Sequence, residues 1–386
     1  MSEFKSLLTK LIHEGEKEAR IDGAVVMPIF QSSTYEYGGS GAYDDIRYLR
    51  LNNSPNHHLL AKKLSMLEKT ESAVVTSSGM SAISTSLLTF LKPGDHVLFQ
   101  NYIYGGTYGF ITQDLPEHGI ECSPIDASKP ESWEQLLRKN TKVFYVESIA
   151  NPLMVVGDLK AVTDFSKSHG IVSMIDNTFA TPVNFNPAEI GFDIVLQSAT
   201  KYLNGHSDIV AGAVCASKEI IEKITHRLNH LGGCLDTHAC FLLNRGIKTL
   251  ALRVDYQNQS AVKVAEALEG SKKIKKVNYP GLKSGESYSR AKELMNGFGG
   301  MLSFELDMEP KNIDSFLRNA KIPIFAPSLG GIESLIIQPS KTSHVGISEE
   351  ERNQLGITDN LVRLSVGIED TQELIDDLLT TLDKVS

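Results

Sequence analysis

Residues Ile171 to Val210 read IVSMIDNTFATPVNFNPAEIGFDIVLQSATKYLNGHSDIV. Two short β-rich runs, IVSMID and DIVLQS, each give way to a polar segment, NTFATP after the first and ATKYLNGHSD after the second. Apolar runs of this length, bounded by turn-forming residues, predict buried strands. Upstream, the helical stretch LLAKKLSMLEKT from Leu59 leads into SAVVTSS, DHVLFQ and KVFYVES, and downstream IVAGAVCA follows. Strands that alternate with helices predict βαβ units and therefore a mainly parallel sheet covered by helices.

After Ser217 the pattern becomes helical as far as CFLLNRGIKTLALRVDYQNQSAVKVAEALEG, which reads as one long or one broken helix. A second α/β segment starts at KKVNYPGL, with MLSFELD, IPIFAPS and LVRLSVG as strands and TQELIDDLLTTLDKV as an amphipathic closing helix. The first fifty residues show little alternation of their own. The expected organisation is an arm over 1–50, a large α/β domain over 51–247 and a smaller C-terminal α/β domain over 248–386. No internal repeat or low-complexity linker divides the chain.

At 386 residues and 41% hydrophobic content, the chain suits two or more globular domains. The net charge of −9 argues against nucleic acid as a partner, because phosphate-backbone binding needs clustered Lys and Arg. The one basic run, SKKIKK at Ser271 to Lys276, reads as a solvated edge. No stretch approaches the roughly 20 apolar residues that span a bilayer. The N-terminal segment MSEFKSLLTKLIHEGEKEAR lacks an apolar signal core and a small-residue cleavage site. A cytoplasmic protein without membrane contact is expected. Cys122, Cys215, Cys234 and Cys240 form no CxxC pair and read as reduced thiols, and no His, Cys or Asp spacing marks a metal site.

Open α/β sheets place ligands at the carboxyl ends of their parallel strands. Lys201 sits at such an end, among Ser198 and Thr200 rather than among carboxylates. A lysine nucleophile needs a lowered pKa, which partial desolvation beside another cation supplies; the bland alternative is a surface lysine. Asp176 ends the preceding strand, where a carboxylate can pair with a pyridinium nitrogen, or simply cap a turn beside Asn177 and Thr178. TSSGMSAIS offers a strand end, Gly79 and then a helix start, the arrangement that presents backbone N–H groups to a phosphate.

In combination, SSGMSA, YGGTY, ESIANPLM, IDNTFATP, SATKYLNGHSD, NRGIKTLALR, SLGGIESL and RLSVGIED resemble the Cys/Met-metabolism family of enzymes that depend on pyridoxal 5′-phosphate (PLP). The match runs from about Gly23 to the last helix. It implies an aspartate-aminotransferase-like fold with Lys201 as the covalent anchor of PLP and Asp176 at its ring nitrogen. Gly79 and Met80 would bind the phosphate through backbone N–H groups, with help from the Ser198 and Thr200 hydroxyls. Tyr104 would lie over the ring and shuttle protons, Asn151 would bind the phenolic oxygen and the substrate, and Glu147 would support them. Arg363 would clamp the substrate carboxylate as a bidentate fork. Ser328 would help hold Lys201 or that carboxylate. Tyr48 and Arg50 would reach the phosphate of a neighbouring subunit, so a homotetramer built from dimers with shared sites is expected.

Some positions depart from the family pattern. The loop after Arg50, LNNSPNHH, is a residue longer than usual, which makes Arg47 a rival to Arg50. Gln257 stands where a histidine is common, so no general base is expected there. Methionine γ-lyases usually carry a cysteine where this chain has Gly106. Relatives that act in the γ sense commonly carry a glutamate before the serine of SLGG, and here that position is Pro327. The expected activity is that of a cystathionine β-lyase, releasing homocysteine, pyruvate and ammonia from a small amino-acid substrate. Cystathionine γ-lyase or γ-synthase is the alternative, followed by methionine γ-lyase and O-acetylhomoserine sulfhydrylase. A non-enzymatic scaffold on the same fold would have lost the Lys, Asp or Arg, and all three are present.

Overall fold

A computed structural model of the protein describes residues 4–16, 20–39, 41, 46–346 and 348–385. Seven strands form the larger sheet: β1 (Ser72–Thr76), β2 (His96–Gln100), β3 (Glu121–Ile125), β4 (Thr141–Glu147), β5 (Val172–Asp176), β6 (Ile194–Gln197) and β7 (Gly212–Ala216). Their spatial order is β1-β7-β6-β5-β4-β2-β3. β3, β2, β4, β5 and β6 run parallel, whereas β7 is antiparallel to both β6 and β1.

Helices cover both faces, which is why the central strands read as continuous apolar runs. Alternate side chains of β4 and β5 serve opposite cores. Phe144, Val146 and Ile175 pack with Leu60, Leu64 and Leu243 on one face. Val143, Tyr145 and Met174 pack with Ile83, Leu87 and Leu228 on the other. β3 falls at the edge and was not expected from the sequence, since Glu121 and Pro124 interrupt any apolar pattern.

The smaller sheet has the order β10-β11-β12-β9-β8. It comprises β8 (Ile274–Asn278), β9 (Met301–Leu306), β10 (Ile324–Phe325), β11 (Leu335–Ile337) and β12 (Leu361–Ser365). Its core joins Phe304, Val362 and Leu364 to Phe316 and to Leu374, Leu378 and Leu382 of the closing helix Thr371–Val385. Lys275 and Lys276 lie exposed on the edge strand β8. The long helical region is broken into Thr237–Ile247 and Leu250–Glu269.

The arm is only partly described, residues 1–3, 17–19, 40 and 42–45 lying outside. Its helix Leu7–His13 is tied to the large sheet's helices by the fully buried Lys63. The Lys63 ammonium donates to Leu11 O at 3.1 Å, Glu16 Oε1 at 2.8 Å and Asn244 Oδ1 at 2.9 Å. Beyond it, Val25, Val26, Ile29, Tyr37 and Ile46 stay exposed in this chain. The four cysteines are free thiols.

Candidate active site

The parallel strands β4, β5 and β6 end on one edge of the large sheet, and a cavity of about 600 Å³ opens there against the smaller sheet. It is lined by Gly79, Met80, Tyr104, Asn151, Asp176, Ser198, Thr200, Lys201, Ser328 and Arg363. Ten residues drawn from the whole length of the chain thus meet in one place. Tyr48 and Arg50 do not line it. Tyr48 precedes and Arg50 lies within the short 3₁₀ turn Leu49–Leu51; both are exposed, with the Arg50 guanidinium 5.6 Å from the Tyr48 ring and donating to Asn229 O at 2.6 Å. Arg47 is exposed as well.

At one end of the cavity, Ser78 caps the helix Gly79–Phe90 by accepting from Ser81 N. The first turn of a helix leaves backbone N–H groups without partners in the helix, and its first two residues, Gly79 and Met80, line the cavity. A Cβ at Gly79 would stand 2.7 Å from Ser198 Cβ, so only glycine lets this turn meet the end of β6. Thr200 is held by exchange with Ala211: its Oγ1 donates to Ala211 O at 3.1 Å and accepts from Ala211 N at 3.0 Å.

Asp176 is 8% exposed. Its Oδ1 accepts from Thr178 N at 2.9 Å and from the Thr178 hydroxyl, whose oxygen in turn accepts from Ser198 N at 2.8 Å. One Asp176 oxygen thus caps the turn while the carboxyl lines the cavity. Burial raises its pKa, and Thr178 works against that. Sheet register places Glu147 beside it, and Glu147 Oε1 and Oε2 accept from Tyr104 N at 2.6 Å and Asn151 N at 3.1 Å. Burial, then the neighbouring Asp176 charge, push Glu147 well above the usual carboxylate range. Among the described residues Asp176 has no cationic partner.

Lys201 lines the same cavity, its ammonium donating to Ser328 Oγ at 2.9 Å. Burial, and next the charge of Arg363, push its pKa down to about 8. Arg363 is fixed from two sides, donating to Asn151 Oδ1 at 3.0 Å and Ser328 O at 3.2 Å. Burial brings its pKa to about 10. Because Arg363 occupies Asn151 Oδ1, what Asn151 can offer a ligand is its Nδ2 donor.

The residues present fit PLP. A buried carboxylate without a cation suits a protonated ring nitrogen, a lysine amine with a lowered pKa lines the same cavity, and a helix start kept open by Gly79 suits a phosphate. Thr178, Thr342 and Ser343 also line the cavity, and the sequence did not single them out. Thr178 lay in view inside IDNTFATP. Nothing near Thr342 or Ser343 signalled that the segment would pack against Gly105.

A family model described as Cys/Met metabolism PLP-dependent enzyme matches residues 8–383. The chain is 42% identical to the cystathionine gamma-lyase of Bacillus subtilis (strain 168), over 98% of this chain and 99% of that protein. It is 41% identical to the cystathionine beta-lyase of Lactococcus lactis subsp. cremoris (strain MG1363), again over 98% and 99%. Among solved structures it superposes on the cystathionine gamma synthase of Xanthomonas oryzae pv. oryzae in complex with aminoacrylate and cysteine. That likeness has a TM-score of 0.95 and 34% identity and covers 99% of each chain.

Proposed function

Since the chain belongs to the Cys/Met metabolism PLP-dependent enzyme family, we propose that it is a carbon–sulfur lyase that cleaves cystathionine in the β sense. The observation that carries this reading is the lack of a carboxylate at the cavity mouth. Pro327 is exposed there, with neither charge nor donor, and the only acids among the described lining residues are Glu147 and Asp176. Both belong to the large sheet's strand ends, and both already accept backbone N–H groups. A distal ammonium that must be held for γ chemistry thus finds no free carboxylate among the described lining residues, whereas β cleavage lets the homocysteine half leave.

When bound, PLP supplies an electron-accepting ring conjugated to the substrate nitrogen. Gly79, Met80, Ser198 and Thr200 would hold its phosphate, Asp176 would keep a proton on its ring nitrogen and Asn151 would bind its phenolic oxygen. Arg363 orients the substrate carboxylate by a bidentate pair, which fixes the Cα–H bond relative to Lys201. The Lys201 amine, with its pKa near 8, is a competent base close to neutral pH and removes the Cα proton. Ser328, on the Lys201 Nζ, aims the amine. Lys201 or the Tyr104 hydroxyl then delivers a proton to the departing sulfur.

In the same reading Tyr48 and Arg50 complete the phosphate site of a neighbouring subunit in a cytoplasmic homotetramer. Residues 1–50 form the arm that reaches across, 51–247 the cofactor domain and 248–386 the C-terminal domain. Incubating the purified holoenzyme with cystathionine and identifying the 2-oxo acid tests the reaction. Pyruvate with homocysteine is expected; predominant 2-oxobutanoate with cysteine would replace β by γ cleavage.

A further inference from the structure

The helix Leu250–Glu269 turns one face to the cavity's supporting loops, and two buried polar residues one turn apart lie on it. Arg253 is 5% exposed and Gln257 is fully buried. Among the described residues Arg253 has no carboxylate partner. It donates to Tyr202 O at 2.8 Å, Leu203 O at 3.5 Å, Gly246 O at 2.9 Å and Thr249 Oγ1 at 3.1 Å. The first two carbonyls belong to the turn that begins at Lys201. Gly205 closes that turn at φ +73°, and a Cβ there would fall 2.0 Å from the guanidinium. The turn is shaped around Arg253.

Gln257 spends both amide hydrogens on the other half of the site. Its Nε2 donates to Gly331 O at 2.8 Å and to Val366 O at 3.0 Å. Gly331 lies in the loop that carries Ser328, and Val366 directly follows β12, which carries Arg363. The two halves are also joined by Ile332 N donating to Gly205 O at 3.0 Å. A helix is the stiffest spacer available between two such anchor points, and i, i+4 positions share a face.

We infer that Arg253 and Gln257 are positioning residues, a strut on one helix that fixes Lys201 relative to the Ser328 loop and Arg363. Arg253 sets the amine and Gln257 sets the carboxylate clamp. This rests on the reading of Lys201 as the PLP anchor and Arg363 as the carboxylate site. A buried cation capping carbonyls could equally serve stability alone, so the test must separate the two roles.

The test uses Gln257→Met, Gln257→His and Arg253→Lys. The first probe is free glycine, an amino acid with no leaving group, titrated into the holoenzyme by visible absorbance. The second is the rate at which apoprotein takes up added PLP covalently. Gln257→Met should weaken glycine binding, and raise the KM for cystathionine, by about tenfold while PLP uptake stays near wild type. Gln257→His, which keeps one N–H donor, should recover part of the loss. Arg253→Lys, a point donor in place of a fork, should slow PLP uptake by about tenfold with glycine affinity near wild type. Melting temperatures are recorded throughout. Losses of both properties together, tracking the loss of thermal stability, would overturn the strut, as would wild-type values in both variants. Arg363→Lys and Lys201→Ala serve as controls. If the first kept glycine affinity or the second still took up PLP, the reading of the site would fall and the strut with it. If the controls lost function but Gln257→Met and Arg253→Lys did not, the strut alone would fall.

Discussion

Gly106→Ala is the substitution whose effect follows most directly from the coordinates. A Cβ at position 106 would lie 2.6 Å from Tyr104 Cε1, 3.2 Å from its Cζ and 3.3 Å from Met80 Sδ. Restoring van der Waals contact requires the phenol ring to move by about 1 Å, since heavy atoms in contact sit near 4 Å and rarely much closer. The Tyr104 side chain can yield, because the residue is 45% exposed and borders open cavity. The stability cost should therefore be within roughly 1 kcal/mol, as for a surface substitution. Catalysis is less forgiving, because a misplacement of about 1 Å costs on the order of 10²-fold, or about 2.7 kcal/mol of barrier. We expect kcat for pyruvate release to fall by that factor, with KM within a few-fold and the melting temperature almost unchanged. Continuous detection of pyruvate with a coupled dehydrogenase, alongside a thermal melt, reads all three. Turnover within twofold of wild type would refute the placement of Tyr104 in the proton path.

Lys201→Ala should fold and melt as a normal protein yet neither bind PLP covalently nor turn over; a variant that kept the visible absorbance of the wild-type holoenzyme would remove Lys201 from the anchor role. The lowered pKa of Lys201 has a definite sign: burial disfavours its cation, so the neutral nucleophile dominates above about pH 8 instead of above the ordinary lysine value. Covalent PLP uptake by the apoprotein should accordingly rise with pH around a midpoint near 8, and a midpoint near 10 would contradict the burial argument. Asp176→Asn keeps an acceptor for Thr178 but loses the charge, so turnover should drop by about 10²-fold or more with part of the PLP retained, and unchanged turnover would refute its role. Mixing Arg50→Ala with Lys201→Ala subunits should restore some activity through hybrid sites if Arg50 serves a neighbour; inactive mixtures of demonstrated hybrid oligomers would place Arg50 outside the site.

The large sheet was legible because its strands carry the apolar runs that two-sided burial demands, and the chemistry followed from which residues sit at their carboxyl ends. Lys201 and Asp176 could be placed at strand ends in this way before any geometry was known, and both line the cavity. β3 escaped because an edge strand with Glu121 and Pro124 need not be apolar, and β11 because three residues, beginning at the last leucine of SLGGIESL, are too few to show a period. Gln257 could be excluded as a base from its side chain alone. What it does instead depends on carbonyls 74 and 109 residues away, which no local pattern encodes. Thr342 and Ser343 were hidden for the same reason.

The antiparallel strand β7 has a consequence for the order of events as the chain folds. β1 joins the sheet only through β7, with Ser72 opposite Ala216, so the contact of the Gly79 turn with Ser198 depends on that long-range pairing. The two walls of the proposed phosphate cradle thus come from segments whose meeting closes one of the longest loops in the large sheet, an entropically costly contact. A ligand that bound only the closed cradle would stabilise the finished fold without guiding its formation, because binding to the native state alone shifts the equilibrium toward it.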